Sequence, residues 1–202
     1  MSMSIRRLAL AFIALAIVAL QITLPATSAS AAEPQDADDF VMKAFPHQSS
    51  LVHFSDTFGA PRSGGRRHKG TDILSPKGTW IVAVEDGIVE RLSHSRISGY
   101  VIKIRHADGW SSVYMHLDND TQGTDDGDGG PETAYVEDLE EGAFVHAGDV
   151  IGFVGDSGNA EGTVSHTHFE LRYDNKAVNS YPYLEAAWEH RLSTCEKQQI
   201  IL

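Results

Sequence analysis

The stretch His166-Thr167-His168-Phe169-Glu170-Leu171-Arg172-Tyr173 decides how the chain is read. Phe169, Leu171 and Tyr173 recur at every second position, the period of a strand with one face turned to a core. Short apolar runs of the same kind lie upstream: Trp80 to Val84, Gly87 to Leu92, Tyr100 to His106, Trp110 to Leu117 and Val150 to Val154. Turn dipeptides such as Asp86-Gly87 and Asp108-Gly109 separate runs from one another, which predicts antiparallel strands joined by hairpins. The fold class is therefore mainly β. Two stretches break the pattern. Residues 118 to 133 hold five Asp and four Gly, a density that neither strand nor helix tolerates, and read as a long loop. Tyr183 to Gln199 carries Leu184, Ala187, Trp188 and Leu192 at helical spacing with no Gly or Pro, which predicts a C-terminal helix packed on the sheet.

The 202 residues suffice for one compact domain with its own core. Arg6 and Arg7, an apolar run from Leu8 to Leu24, and Ala29-Ser30-Ala31 form the tripartite pattern of a secretory signal over residues 1–32. The protein is thus expected to be exported, either secreted or held in the cell wall or periplasm. The alternative is an uncleaved anchor, because an apolar run of about 17 residues just spans a thinned bilayer; membrane contact is expected through this segment alone. Residues 33–53 read as a linker and N-terminal segment, with order beginning near Phe40, and residues 54–202 as the functional domain. Removing residues 1–32 leaves 14 Lys and Arg against 28 Asp and Glu, a net charge of −14. That balance disfavours nucleic acid, since phosphate binding needs a basic surface. The single cysteine, Cys195, has no internal partner and reads as an inert helix thiol in a monomer.

Ten histidines raise the question of which converge. His166 and His168 share one strand face, roughly 6.5 to 7 Å apart, too wide for easy shared ligation of one ion; one can bind a metal while its neighbour faces substrate. Spacing leaves open which does which. Tyr114 and His116 share a face by the same alternation, and His116 flanks His166 if their strands are neighbours. His68 follows Ser63-Gly64-Gly65, read as a flexible approach, and Asp72 begins the structured part. Two histidines and one carboxylate with an open fourth position are the donor set of a catalytic zinc site, whereas structural zinc usually takes four closed ligands and cysteines.

In order along the chain, seven segments resemble the lysostaphin and LytM type of zinc metalloendopeptidase. They are Phe58-Gly59-Ala60-Pro61-Arg62, Arg67-His68-Lys69-Gly70-Thr71-Asp72-Ile73, Pro76-Lys77-Gly78-Thr79, Asp86-Gly87, Tyr114-Met115-His116-Leu117, Gly148-Asp149-Val150-Ile151-Gly152 and His166-Thr167-His168-Phe169-Glu170-Leu171. The match runs from about Phe54 to Tyr183 and covers most of the chain after the signal. It implies a small antiparallel β-sheet domain of the duplicated hybrid motif type, here with a C-terminal helix. It implies one Zn2+ ion held by His68, Asp72 and His168, catalytic roles for His116 and His166, and peptidoglycan peptides as substrate. The competing reading is a non-catalytic module of the same fold that binds wall or activates another hydrolase; a peptidase acting on proteins shares the same site.

Two departures from the resemblance stand out. Thr167 occupies a position where an apolar residue is common, and alternation turns it away from the metal, so only a packing effect is expected. The acidic loop after Leu117 is expected to be solvated and to border the groove; its Asp118, Asp120 and Gln122, with Asp125, Asp126 and Asp128 beyond, also offer oxygens for a possible Ca2+. No Lys or Arg occurs from His106 to Glu170 against 15 acids, while Arg62, Arg66, Arg67 and Lys69 precede the first ligand. A groove with one basic and one acidic rim is the corresponding expectation, suited to a zwitterionic peptide. Residues 40 to 55 are the segment expected to cover the groove if the enzyme is latent.

Overall fold

The computed structural model describes residues 40–199. The signal over residues 1–32, residues 33–39 of the linker and the Cys195 side chain lie outside the described residues. Among these residues no helix is long and apolar enough to cross a membrane.

The described residues form nine strands and two α-helices, with short 3-10 turns at Ser63–Gly65 and Gly158–Ala160: β1 (Thr71–Leu74), β2 (Trp80–Val82), β3 (Gly87–Ser95), β4 (Gly99–Arg105), β5 (Trp110–Leu117), the one-turn α1 (Pro131–Ala134), β6 (Phe144–Val145), β7 (Val150–Phe153), β8 (His166–Tyr173), β9 (Lys176–Val178) and α2 (Tyr181–Gln199). The main sheet is antiparallel in the order β1-β8-β5-β4-β3-β6, with β9 also paired to β8; β2 and β7 form a second, two-stranded sheet. The mainly β domain with a C-terminal helix is thus observed, and β5 and β8 have the bounds that their sequence runs predict. The sequence reading missed β1, β6 and β9, which have two to four residues each and are too short to show a period.

Burial follows the alternation. Phe169 and Leu171 on β8, Tyr114 on β5 and Ile102 and Ile104 on β4 are fully buried and meet Ile81, Val84 and Ile151 in one core. Burying each such side chain contributes about 1.5–3 kcal/mol. Leu184 and Ala187 of α2 close that core, whereas Leu192 is exposed, so the helix covers the sheet only over its first half. The N-terminal segment is built into the body. Phe40 stacks on Trp110 at 4.7 Å, Phe45 meets Trp188 at 4.9 Å, and Phe40, Met42, Phe45 and His47 are all buried. Packing therefore starts at Phe40, within the stretch read as linker and N-terminal segment.

Candidate functional site

Strand pairing brings two of the candidate residues together. Asp72 on β1 sits opposite His168 on β8, and Met115 on β5 sits opposite His168 on its other side. Gly70 permits this approach: a Cβ there would lie 2.1 Å from the Phe169 carbonyl oxygen, so any larger residue would push β1 off β8. His68 precedes β1 and is held by a small hairpin rather than a flexible approach. Its amide donates to Ala60, its carbonyl accepts from Gly59, and the Arg62 amide donates to Arg66, each at 2.9 Å.

The donor atoms converge closely. His68 Nε2 lies 3.0 Å from Asp72 Oδ1 and 2.8 Å from His168 Nδ1, and His168 Nδ1 lies 2.9 Å from Asp72 Oδ1. The remaining ring nitrogens are engaged elsewhere. His68 Nδ1 donates to the Thr57 carbonyl at 3.0 Å, and His168 Nε2 donates to Glu170 Oε1 at 3.2 Å. With those protons fixed outward, both imidazoles turn lone pairs toward each other and toward a carboxylate oxygen. Three acceptors that close repel unless a cation lies among them, and two imidazoles plus one carboxylate are a donor set that zinc takes. The residues therefore fit a metal. Arg62 donates to the other oxygen of Asp72, Oδ2, at 2.5 Å.

His116 and His166 stand beside this cluster, with ring centroids 5.2 Å apart and His116 6.3 Å from His168. Alternation predicts that His116 shares the face of Tyr114, and here the structure differs. Tyr114 pairs with Phe169, is fully buried, and its hydroxyl accepts from the Val84 amide at 3.1 Å in the core. His116 has φ of 61°, and this left-handed residue breaks the pleat and turns its ring to the side of His166 and His168. Strain of this kind in a non-glycine residue costs about 1–3 kcal/mol and persists only where the surroundings enforce it. Here the His116 amide donates to the Ser98 carbonyl at 2.9 Å and Nδ1 donates to the Ser157 carbonyl at 2.8 Å. Ser157 is fixed in turn, donating its hydroxyl to the Leu117 carbonyl at 2.5 Å and accepting from the Tyr100 amide at 3.0 Å. Burial pushes the His116 pKa down to about 4. His166 Nδ1 donates to the Val164 carbonyl at 2.8 Å. Both rings thus keep Nε2 as the basic nitrogen when neutral.

All five residues line one open groove of about 540 Å³. Arg62, Arg66, Arg67 and Lys69 also line it, as predicted for a basic rim. Apart from Glu170, the rest of the lining, Ile97, Ser98, Asn159, Ala160 and Thr163, is uncharged. The expected acidic rim is absent: no residue of the acidic loop lines the groove, and two of its acids, Asp120 and Asp125, together with Asp156, instead surround Lys77 Nζ at 2.5, 2.5 and 2.8 Å. Residues 40 to 55 contribute nothing to the groove lining either. Thr167 points away from the cluster as expected, but its contact is polar: its hydroxyl is bonded to His47 Nε2 at 2.9 Å, and His47 Nδ1 to Ser75 at 2.8 Å, all buried.

Sequence reasoning placed Arg62 on a basic rim but not on Asp72, and gave no role to Thr57, Ser157 or Glu170. A signal existed for Glu170 alone, which alternation places on the face of His168.

Residues 66–180, more than half of the chain, match the model of "Peptidase family M23". The chain belongs to peptidase family M23. This M23 chain is 35% identical over 130 residues to "Murein hydrolase activator NlpD" of Escherichia coli (strain K12), covering 64% of this chain and 28% of that protein. It is 32% identical over 114 residues to "DD-carboxypeptidase/endopeptidase Mpg" of Neisseria meningitidis serogroup B (strain ATCC 13091 / M2091), covering 56% and 22%. The match thus spans about a quarter of the length of these curated relatives. Among solved structures, the catalytic domain of the antimicrobial peptidase lysostaphin from Staphylococcus simulans is similar at 25% identity and a TM-score of 0.53, covering 66% of this chain and 92% of that one.

Proposed function

We propose that the chain is an exported zinc metalloendopeptidase that hydrolyses peptide bonds of bacterial peptidoglycan, with His68, Asp72 and His168 holding one Zn2+ and His116 and His166 acting on the reacting groups. The observation that carries this reading is the convergence of two imidazole lone pairs and a carboxylate oxygen within 3.0 Å of one another, on residues whose outer nitrogens are already engaged. Zinc in that position supplies Lewis acidity toward a carbonyl oxygen and lowers the pKa of a water toward neutrality. The protein's own groups do the rest. Glu170 and the Thr57 carbonyl orient the two imidazoles and fix their tautomers. Ser157 and the Val164 carbonyl hold the Nδ1 protons of His116 and His166, leaving each Nε2 free to take a proton from water and return one to the leaving amine. His116 is neutral at pH 7, because its pKa lies near 4, and so starts as a proton acceptor. The open groove accommodates an extended peptide.

The likeness to a protein named as a murein hydrolase activator supports a second reading, in which the chain acts on a hydrolase rather than on wall. Incubating the purified protein on isolated peptidoglycan, with zinc or with chelator, and identifying released ends by mass spectrometry separates the two. Chelator-sensitive release of new amino and carboxyl ends is expected. Metal bound without release would sink the peptidase reading and favour the activator.

A further inference from the structure

A second cavity, of about 440 Å³, lies against the groove and is not used by the chemistry above. Arg67, His68 and Lys69 line both spaces and form the wall between them. Arg172 at the end of β8, Lys176 at the start of β9 and Phe58 also line it, and no Asp or Glu does. The two strands are joined by Asp174 and Asn175, both left-handed at φ 46° and 63°, the geometry of a tight two-residue hairpin turn. Lys103 anchors that turn by donating to Asn175 Oδ1 at 3.1 Å, so Lys176 is presented from a fixed position.

The cations around this cavity differ in what neutralises them. Arg172 is paired with Glu170 at 2.5 Å, and Arg67 donates to the Gly59 carbonyl at 2.9 Å. Lys69 and Lys176 have no carboxylate within ion-pair distance among the described residues. In a chain with 28 acids and a net charge of −12, a cavity with four cations in its lining and no acid, two of those cations without a carboxylate partner among the described residues, holds an excess of positive charge. Such a surface lowers its energy by taking an anion, and concave placement focuses the field on it. Phosphate recognition leans on arginine forks, but here the two arginines are engaged and the free cations are lysines, which act as point charges. Phe58 adds an apolar contact for the residue that bears the charge.

We infer that this cavity is a subsite for a free carboxylate of the peptide substrate, with Lys69 and Lys176 as its main contacts. The identity of the ligand as wall peptide rests on the peptidase reading; the preference for a carboxylate does not. Only the His68 segment separates the cavity from the metal centre, so the carboxylate belongs to a residue within a few positions of the scissile bond. No residue of the acidic loop lines the groove, so nothing there calls for a free amine, and the favoured substrate is anionic rather than zwitterionic.

Titration calorimetry of the purified protein with a wall stem peptide bearing free carboxylates, and with the same peptide fully amidated, tests this. The free acid is expected to bind about tenfold more tightly, with zinc present and after its removal by chelator. Lys176→Glu, at an exposed turn residue, should bring the ratio near one, whereas Lys176→Arg should keep it. Equal binding of the two peptides overturns the subsite, as does a preference that survives both Lys176→Glu and Lys69→Glu. A preference that vanishes with the metal places the carboxylate on the ion and overturns it too. Inorganic phosphate binding more tightly than the acid peptide, and lost in Lys176→Glu, overturns the assignment to a peptide. Cleavage assays on the same samples separate the two claims: cleavage without acid preference sinks the subsite alone, and acid preference without cleavage sinks the peptidase alone.

Discussion

Two clusters in this protein each gather three side chains suited to a cation, and they differ in what lies at the centre. Around Asp120, Asp125 and Asp156 the centre is filled by the chain itself, with Lys77 Nζ within 2.8 Å of all three. Around His68, Asp72 and His168 the three atoms turned to the centre are acceptors, with the ring protons directed outward to Thr57 and Glu170 and Arg62 bonded to the outer oxygen of Asp72. The first is closed and ties the acidic loop to the body. The second is completed only by a cation from outside, which is what chemistry on a substrate requires. Residue type and spacing alone do not separate them; the location of the balancing charge does.

Removing a member of the open cluster should have the largest effect. His168→Ala is expected to lose bound zinc, read by elemental analysis of the purified protein, and with it all chelator-sensitive cleavage. His116→Ala should keep zinc at one ion per chain and lose about 10²- to 10⁴-fold in kcat, the usual cost of a proton-transfer group. Zinc lost from the His116 variant and kept by the His168 variant would reverse the roles assigned to them.

The closed cluster should answer differently. Lys77→Met leaves Asp120 and Asp156, whose side chains are only 2% exposed, without their counter-charge. In the native protein burial works against the Lys77 charge, but hydrogen bonds to Asp120, Asp125 and Asp156 outweigh it and raise the lysine's pKa above its ordinary value. Breaking such a set costs about 3–5 kcal/mol, to be read from urea unfolding. Calorimetry with calcium should give no heat with the native protein and measurable heat with Lys77→Met, since three carboxylates then lack a cation. Calcium heat from the native protein would show that Lys77 does not close the loop.

The same contrast explains how much was legible in the sequence. The strand runs at β5 and β8 were readable because eight residues suffice to show a period, and β8 carries its two histidines on the face that alternation assigns. The division of roles between His166 and His168 came from resemblance, not spacing. His116 was misassigned a face because alternation assumes an unbroken pleat, and a left-handed residue held by Ser98 and Ser157 breaks it. Those partners, with Thr57, Arg62 and the three acids around Lys77, are set by contacts between chain segments far apart in sequence, for which a local pattern carries no signal. The missing acidic rim has the same cause: the composition shows an acidic stretch but not that two of its acids pack on Lys77 and that none of them lines the groove.

A third buried polar set, behind the site, gives the smallest of these effects and the most specific one. His47 is fully buried between Ser75 and Thr167, and burial pushes its pKa down to about 3. It is therefore neutral in the folded protein wherever the unfolded chain, with an ordinary imidazole near 6.5, has begun to take a proton. Between those values the unfolded state binds one more proton at this residue, so the stability it contributes is complete above about pH 6.5 and declines as pH falls toward 3. One proton corresponds to a slope of about 1.4 kcal/mol per pH unit. His47→Gln removes that proton while retaining groups able to bond Ser75 and Thr167. Urea unfolding midpoints measured from pH 7 to pH 4.5 should fall less steeply in the variant, by about that slope, while His106 and His116, also held neutral by burial, keep part of the acid sensitivity. Because Thr167 lies between the two histidines of β8, a variant that retains its fold but loses zinc affinity would mean that this buried contact sets the site as well as the acid stability. An unchanged slope would mean that His47 is not the neutral, desolvated group its surroundings require.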